Sequence, residues 1–328
     1  MRSFACGVCE RLVYFENNLC LHCRTPLGFD AEALAVVPVE DRAVCDCAAL
    51  TRCNWLVEQP GDLCRSCGLT RTRPHDTDTA GLEALVHAEK AKRRVVFQLL
   101  DMQLPIGEDL HFDLLSSEHG PVTTGHKGGL ITVDLAESDD ARREARRRQL
   151  GEPYRTMLGH LRHELGHYYQ SILVTGDAWD HCRELFGDER TPYKQELERH
   201  YREGPPADWP QRYVSAYATM HPWEDWAETF AHYLHIRDTL QTAAAFGVRV
   251  EGPQAPARGR LESTPESDPG PGFDQVLEEW LPLTYALNAL NRSMGRSDLY
   301  PFVLSPPVTA KLAFIDGLVR AAAGLARS

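Results

Sequence analysis

The stretch EPYRTMLGHLRHELGHYYQSILV, residues 152–174, decides how the chain is read. Pro153 suits a first helical turn and good helix formers follow it, so one helix is expected here. Inside it stands His163-Glu164-Leu165-Gly166-His167. Residues four apart on a helix lie about 40° apart around its axis, so both imidazoles can reach one metal ion. Glu164 is placed to contact a water on that ion rather than the ion itself. Two histidine ligands and a general base in this order form the H-E-x-x-H arrangement of zinc hydrolases. His160 shares the face of His163, but the His163/His167 pair with Glu164 is complete without it.

A zinc hydrolase needs a third protein ligand and one open position for water. The extended motif H-E-x-x-H-x-x-G-x-x-H would supply a third histidine. Here Gln170 stands where the glycine should be and Leu173 where the histidine should be, so that route fails. The alternative is a carboxylate on a later helix. Residues 222–235, PWEDWAETFAHYLH, open with Pro222 and carry Glu224, Asp225 and Glu228. Asp225 is rotated about 100° from Glu224 and should face elsewhere. Glu224 and Glu228 share a face one turn apart, so one is expected to ligate while the other accepts an N–H from a ligand histidine. His232 and His235 lie further along and are expected to be solvated or to support the ligands.

Working outward, residues 80–101 have apolar residues at helical spacing. Residues 109–116 and 127–136 read as strands around a Gly-rich turn, and the strand near Leu130–Leu135 is expected to offer its edge to an extended peptide. Asp139-Asp140 can cap a basic helix over 141–150, whose arginines suit a solvated face. The helix expected from Tyr193 to Gly204 reads as scaffold. Residues 250–272 are rich in Pro and Gly and are expected to be a mobile surface loop. Helices are expected at 274–293 and 306–326.

Nine of the ten cysteines lie in residues 1–67, and Cys182 stands apart. Cys6-Gly7-Val8-Cys9 and Cys20-Leu21-His22-Cys23 are two knuckles that together supply four thiolates, a closed zinc ribbon with no open coordination position. Val13-Tyr14-Phe15 between them reads as a strand. His22 is a weaker ligand candidate than the cysteines beside it. Cys64-Arg65-Ser66-Cys67 is a further knuckle, with Cys53 as one partner and either Cys45 or Cys47 as the other. Each module is too small to bury a sufficient core without metal.

The chain has 328 residues and a net charge of −12. Residues 1–75 hold 8 Lys/Arg against 9 Asp/Glu, so the cysteine-rich head is nearly neutral and the body carries the acidity. That argues against nucleic acid as a partner. No run of ~18 apolar residues and no apolar signal region are seen, so neither a membrane span nor secretion is expected. The expected location is the cytoplasm, where clustered thiols stay reduced and bind metal.

Several stretches together resemble a bacterial family of zinc-binding metallopeptidases with an N-terminal zinc-ribbon region. They are Gly125–Glu137, the segment from Glu152 through HELGH to Tyr169, Phe186–Arg190, Tyr217–His235, and, in the head, Cys53-Asn54-Trp55-Leu56-Val57 with Cys64–Cys67. The resemblance covers nearly the whole chain. It favours Cys45 as the fourth ligand of the second module, with Cys47 standing where the family has Asn. The run E-x-x-A-E-x-F after HExxH is also similar to gluzincin metalloproteases. That similarity implies Glu224 as third ligand and Glu228 as the residue orienting a ligand histidine. It also implies Tyr217, seven residues before Glu224, as an oxyanion donor; as a residue alone, Tyr217 reads equally as a core aromatic beside Tyr213.

These readings predict an α+β protein, mainly helical with a small sheet: a gluzincin-like metallopeptidase body over 77–328, preceded by a zinc ribbon over 1–38 and a second four-cysteine module over 39–76. One catalytic and two structural zinc ions are expected. The substrate would be a protein or peptide, and the ribbons could also bind a protein partner. The rival is a zinc-stabilised protein- or nucleic-acid-binding protein whose HExxH site is inactive, against which the intact Glu164 speaks.

Overall fold

The computed structural model describes residues 2–138, 156–251 and 272–325. The basic helix expected at 141–150 with its Asp139-Asp140 cap, the opening Glu152-Pro153 of the HExxH helix, and most of the loop expected at 250–272 lie outside the described residues. The described residues are about half helical, with small sheets. Among the described residues no helix is long and apolar enough to cross a membrane. Contacts divide the described chain into two compact units, one of residues 2–138 with 156–161 and one of 162–251 with 272–325.

The first unit begins with the cysteine knuckles. The amides of Glu10, Arg24 and Gly68 donate to the carbonyls of Cys6, Cys20 and Cys64, each at 2.9 Å, which closes the three turns. Glu10 and Arg24 take left-handed φ values of 59° and 64° to do so. Leu12–Val13 pairs antiparallel with Phe4–Ala5. The strand expected over 13–15 ends at Val13 because Tyr14 enters a turn, its N–H donating to Asn17 Oδ1 at 2.7 Å.

Phe15 and Phe29 of the first module, Trp55 of the second and Phe97 form one buried aromatic cluster, with ring centroids 4.8 to 6.3 Å apart. Phe97 belongs to helix α1, Thr79–Asp101, whose N-cap Asp78 accepts from the Gly81 amide. Residues 77–138, read from sequence as part of the body, thus pack with the cysteine modules. A second tie is polar: the Arg93 guanidinium donates to Thr51 O at 3.0 Å.

A four-stranded sheet completes this unit: β1 (Thr70–Thr72), β2 (His111–Leu115), β3 (Gly125–Lys127) and β4 (Leu130–Asp134) in the order β1-β2-β4-β3. β2 runs parallel to both β1 and β4, and β3–β4 is a hairpin. Gly128 and Gly129 form its turn at φ 56° and 82°, the double positive φ of a type I′ turn. This corrects one expectation. Leu130–Asp134 lies inside the sheet, so the exposed edge on that side is β3 instead.

The second unit is helical. It contains α2 (Met157–Leu173) from Arg162 onward, α3 (Ala178–Phe186), α4 (Tyr193–Glu203), α5 (Pro222–Ala245), α6 (Phe273–Ser293) and α7 (Pro306–Leu325). α5 is its centre, buried along most of its length by Trp226, Phe230, Tyr233, Leu234 and Ile236. α7 is joined to it by two polar links. Lys311 Nζ lies 2.5 Å from Asp225 Oδ2, and Tyr233 donates to Asp316 Oδ1 at 2.9 Å.

Candidate metal centres

Helices α2 and α5 approach closely because Gly166 has no side chain. The Trp226 indole N–H donates to Gly166 O at 2.8 Å, and the Tyr169 and Phe230 rings stack at 5.4 Å. The first turn of α5 is fixed by its N-cap. The His221 ring accepts from the Trp223 amide at 3.0 Å through Nδ1 and donates through Nε2 to Thr191 O at 2.9 Å. Pro222 follows at the first helical position, where a missing N–H is harmless.

This packing brings His163, His167 and Glu224 together, with one potential ligand atom from each within 4.8 Å of the others. Glu224 Oε2 lies 3.0 Å from His163 Nε2 and 3.4 Å from His167 Nε2. All three side chains are buried. Glu228, one turn on, places Oε1 2.7 Å from His163 Nδ1, while its Oε2 accepts from Ser215 Oγ at 2.7 Å. Asp225 points away to Lys311. Glu164 is buried on α2 between the two histidines in sequence. The Tyr217 ring centroid lies 5.9 Å from that of His163. His160 is outside the group. His232 is buried rather than solvated, its Nδ1 2.7 Å from Tyr300 Oη.

Charge and burial oppose each other here. Burial alone would lower the pKa of His163, but the carboxylates of Glu224 and Glu228 beside its ring raise it well above the usual value. Burial would raise both carboxyls; the histidines overcome it, holding Glu224 well below the ordinary range and Glu228 at about 2. An ionised Glu228 can only accept, so His163 Nδ1 carries the proton of that bond. In the neutral imidazole this leaves Nε2 with a lone pair facing Glu224.

The set fits a zinc ion. Glu224 Oε2 is buried and, among the described residues, accepts no hydrogen bond of normal geometry. It faces two imidazole nitrogens. Two nitrogens and one carboxylate oxygen are donors that catalytic zinc takes, with a fourth position left for water.

The head holds two further groups. Cys6, Cys9, Cys20 and Cys23 converge, as do Cys45, Cys53, Cys64 and Cys67. Sulfur pairs lie 3.6 Å apart in the first and 3.7 Å in the second, and no cysteine is in a disulfide. Cys45 accepts from the Cys64 amide at 3.3 Å, whereas Cys47 N-caps the single helical turn Ala48–Thr51 and lies outside the four. Burial pushes the Cys47 thiol up to about 12. His22 is exposed and joins neither group.

A family model described as "Putative zinc-binding metallo-peptidase" matches residues 82–318, and a zinc-ribbon domain model matches residues 3–78. The chain belongs to this metallo-peptidase family. Its metallo-peptidase match contains His163, Glu164, His167 and Glu224, and the ribbon match contains all nine head cysteines. The chain is similar to an uncharacterized protein of Mycobacterium bovis and to uncharacterized proteins from two strains of Mycobacterium tuberculosis. Each is 50% identical over 333 residues, covering 97% of this chain and 95% of the relative. No solved structure matches.

Three contacts around His163, His167 and Glu224 were not read from sequence. Tyr193, on a helix taken as scaffold, donates to Glu224 Oε1 at 3.0 Å. Ser215 bonds Glu228, and Trp223 lies 4.2 Å from the His167 ring. No spacing signal marks Tyr193 or Ser215. Trp223 could have been found as the neighbour of Glu224 on the first turn of α5.

Proposed function

We propose that the chain is a zinc-dependent peptide-bond hydrolase of gluzincin type, with protein or peptide as substrate. The observation that carries this reading is the buried Glu224 Oε2 facing the Nε2 atoms of His163 and His167. His163, His167 and Glu224 would hold one zinc ion, and Cys6, Cys9, Cys20, Cys23 and Cys45, Cys53, Cys64, Cys67 two structural ones. A zinc ion so held supplies a Lewis acid and lowers the pKa of water at its open position towards ~7.

The residues divide the remaining work. Glu164 takes a proton from the attacking water and delivers it to the leaving amine. Glu228, itself held by Ser215, keeps the His163 proton on Nδ1 and Nε2 free to ligate. Tyr217, whose ring lies beside His163, donates to the carbonyl oxygen as negative charge develops there. Ribbons closed by four thiolates act as scaffold or as a surface for a protein partner. Their thiolate chemistry suits the reducing cytoplasm.

Glu164→Gln tests the reading. It should retain full zinc and abolish peptide hydrolysis, because the side chain acts on water and not on the ion. Zinc loss comparable to that of His163→Ala would show Glu164 to be a ligand or a structural residue. Unchanged hydrolysis would remove it as the base.

A further inference from the structure

We propose that Tyr193 is a positioning residue that confines Glu224 to one ligating oxygen and so keeps a coordination position open for water. The proposal rests on the reading of His163, His167 and Glu224 as a zinc site. A carboxylate has two oxygens and can grip a metal with either or both. In Glu224 the two are differentiated: Oε2 faces the imidazole nitrogens, whereas Oε1 accepts from Tyr193 Oη at 3.0 Å. A hydroxyl hydrogen bond along an Oε1 lone pair competes with metal for that oxygen and fixes the plane of the carboxylate.

The tyrosine is itself held. It opens α4 directly after Pro192, and its ring lies 5.2 Å from His221 and 6.2 Å from Trp223. His221 in turn donates to Thr191 O, two residues before Tyr193. The start of α4 is therefore pinned to the first turn of α5, the turn that carries Glu224. Although part of the tyrosine is exposed, its hydroxyl meets a carboxylate that is only 3% exposed. If the hydroxyl is removed, Oε1 loses its donor in a buried place and the carboxylate can turn to offer both oxygens. A two-oxygen grip fills the position that a hydrolase must leave open.

The test uses the full chain with Tyr193→Phe, which keeps the ring. Body zinc is defined as the zinc lost on Glu224→Ala, and its affinity is measured by competition with a chromophoric chelator. Cobalt(II) is then loaded in place of zinc and its visible spectrum recorded. Tyr193→Phe should weaken body zinc ~10–100-fold, the usual range for a residue supporting a ligand. It should also alter the cobalt bands, as the second Glu224 oxygen replaces the water in the coordination shell. Wild-type affinity together with a wild-type spectrum would overturn the proposal. So would a zinc-loaded wild-type crystal structure with both Glu224 oxygens on the metal, whether or not the variant folds. If Glu224→Ala keeps all the zinc, the zinc-site reading fails and this proposal with it. If Glu224→Ala empties the site while Tyr193→Phe matches wild type, only the role of Tyr193 fails.

Discussion

Gly166 and Ala227 leave no space for a side chain between them: a Cβ on Gly166 would stand 2.8 Å from Ala227 Cα and 2.9 Å from its carbonyl oxygen. Both atoms are backbone, so relief requires α2 and α5 to part. The ligands sit on either side of this contact, His163 and His167 on one helix and Glu224 on the other. Gly166→Ala should therefore destabilise the protein by ~1–3 kcal/mol through overpacking, even though alanine is the better helix former by ~1 kcal/mol. It should also weaken body zinc. Thermal melting and chelator competition check this, and a rise in melting temperature with unchanged zinc would show that the helices are not held at this distance.

Asp225 and Lys311 make a different prediction for a residue beside the ligand. Both are buried, and Lys311 Nζ also donates to Arg212 O at 3.0 Å. Asp225→Ala should cost ~3–5 kcal/mol by leaving a buried ammonium without its carboxylate. The double variant Asp225→Ala with Lys311→Met should recover most of that loss. Zinc content of the folded fraction should stay at the wild-type level in both. Zinc loss without loss of stability would mean that Asp225 serves the metal.

The two cysteines at the second module separate cleanly in experiment. Cys45→Ser should remove one zinc ion per chain and unfold the surrounding turn, because Cys45 is one of the four converging thiols. Cys47→Ser should leave the zinc count unchanged. Elemental analysis of the two variants decides, and the reverse pattern would place the metal on Cys47.

Acid should destabilise the second unit through its buried histidines. Burial holds His232 at about 4 and His235 at about 3, below the ordinary value of 6.5. A depressed folded pKa contributes stability that is fully present above pH ~6.5 and is lost as pH falls from there towards 4, because the unfolded chain takes up the proton first. For His232 the contribution is at most ~3 kcal/mol. Urea midpoints of wild type and His232→Gln, measured side by side between pH 7.5 and 4.5, should show a smaller fall in the variant. Parallel curves would mean that His232 does not titrate abnormally.

What the sequence made legible was local. The knuckles, the HExxH spacing, Pro222 at a helix start and the Gly128-Gly129 turn each depend on neighbours within a few residues, and the described residues carry each of them. Contacts that join distant segments outside the metal-ligand motifs were not legible. Tyr193 meets Glu224 across 31 positions, Ser215 meets Glu228 from a separate turn, and Phe97 completes an aromatic cluster begun by Phe15. Nothing in their spacing announces these partners. The edge role expected for Leu130–Asp134 failed for the same reason, since a strand's neighbours in a sheet are set by pairing and not by its own residues.

The second cysteine module does more than precede the sheet; it contributes β1, whose Thr70 and Thr72 register against Phe112 and Asp113. Metal starvation is thereby transmitted into the sheet. When zinc leaves Cys64 and Cys67, the strand three residues later loses its anchor, and β2, with the buried Phe112 and Leu114, becomes an uncovered edge. An apolar edge of that kind is a template for pairing with another chain. Chelation should thus be felt first as self-association rather than as simple loss of a ligand, and zinc held by the ribbon would guard the protein against it.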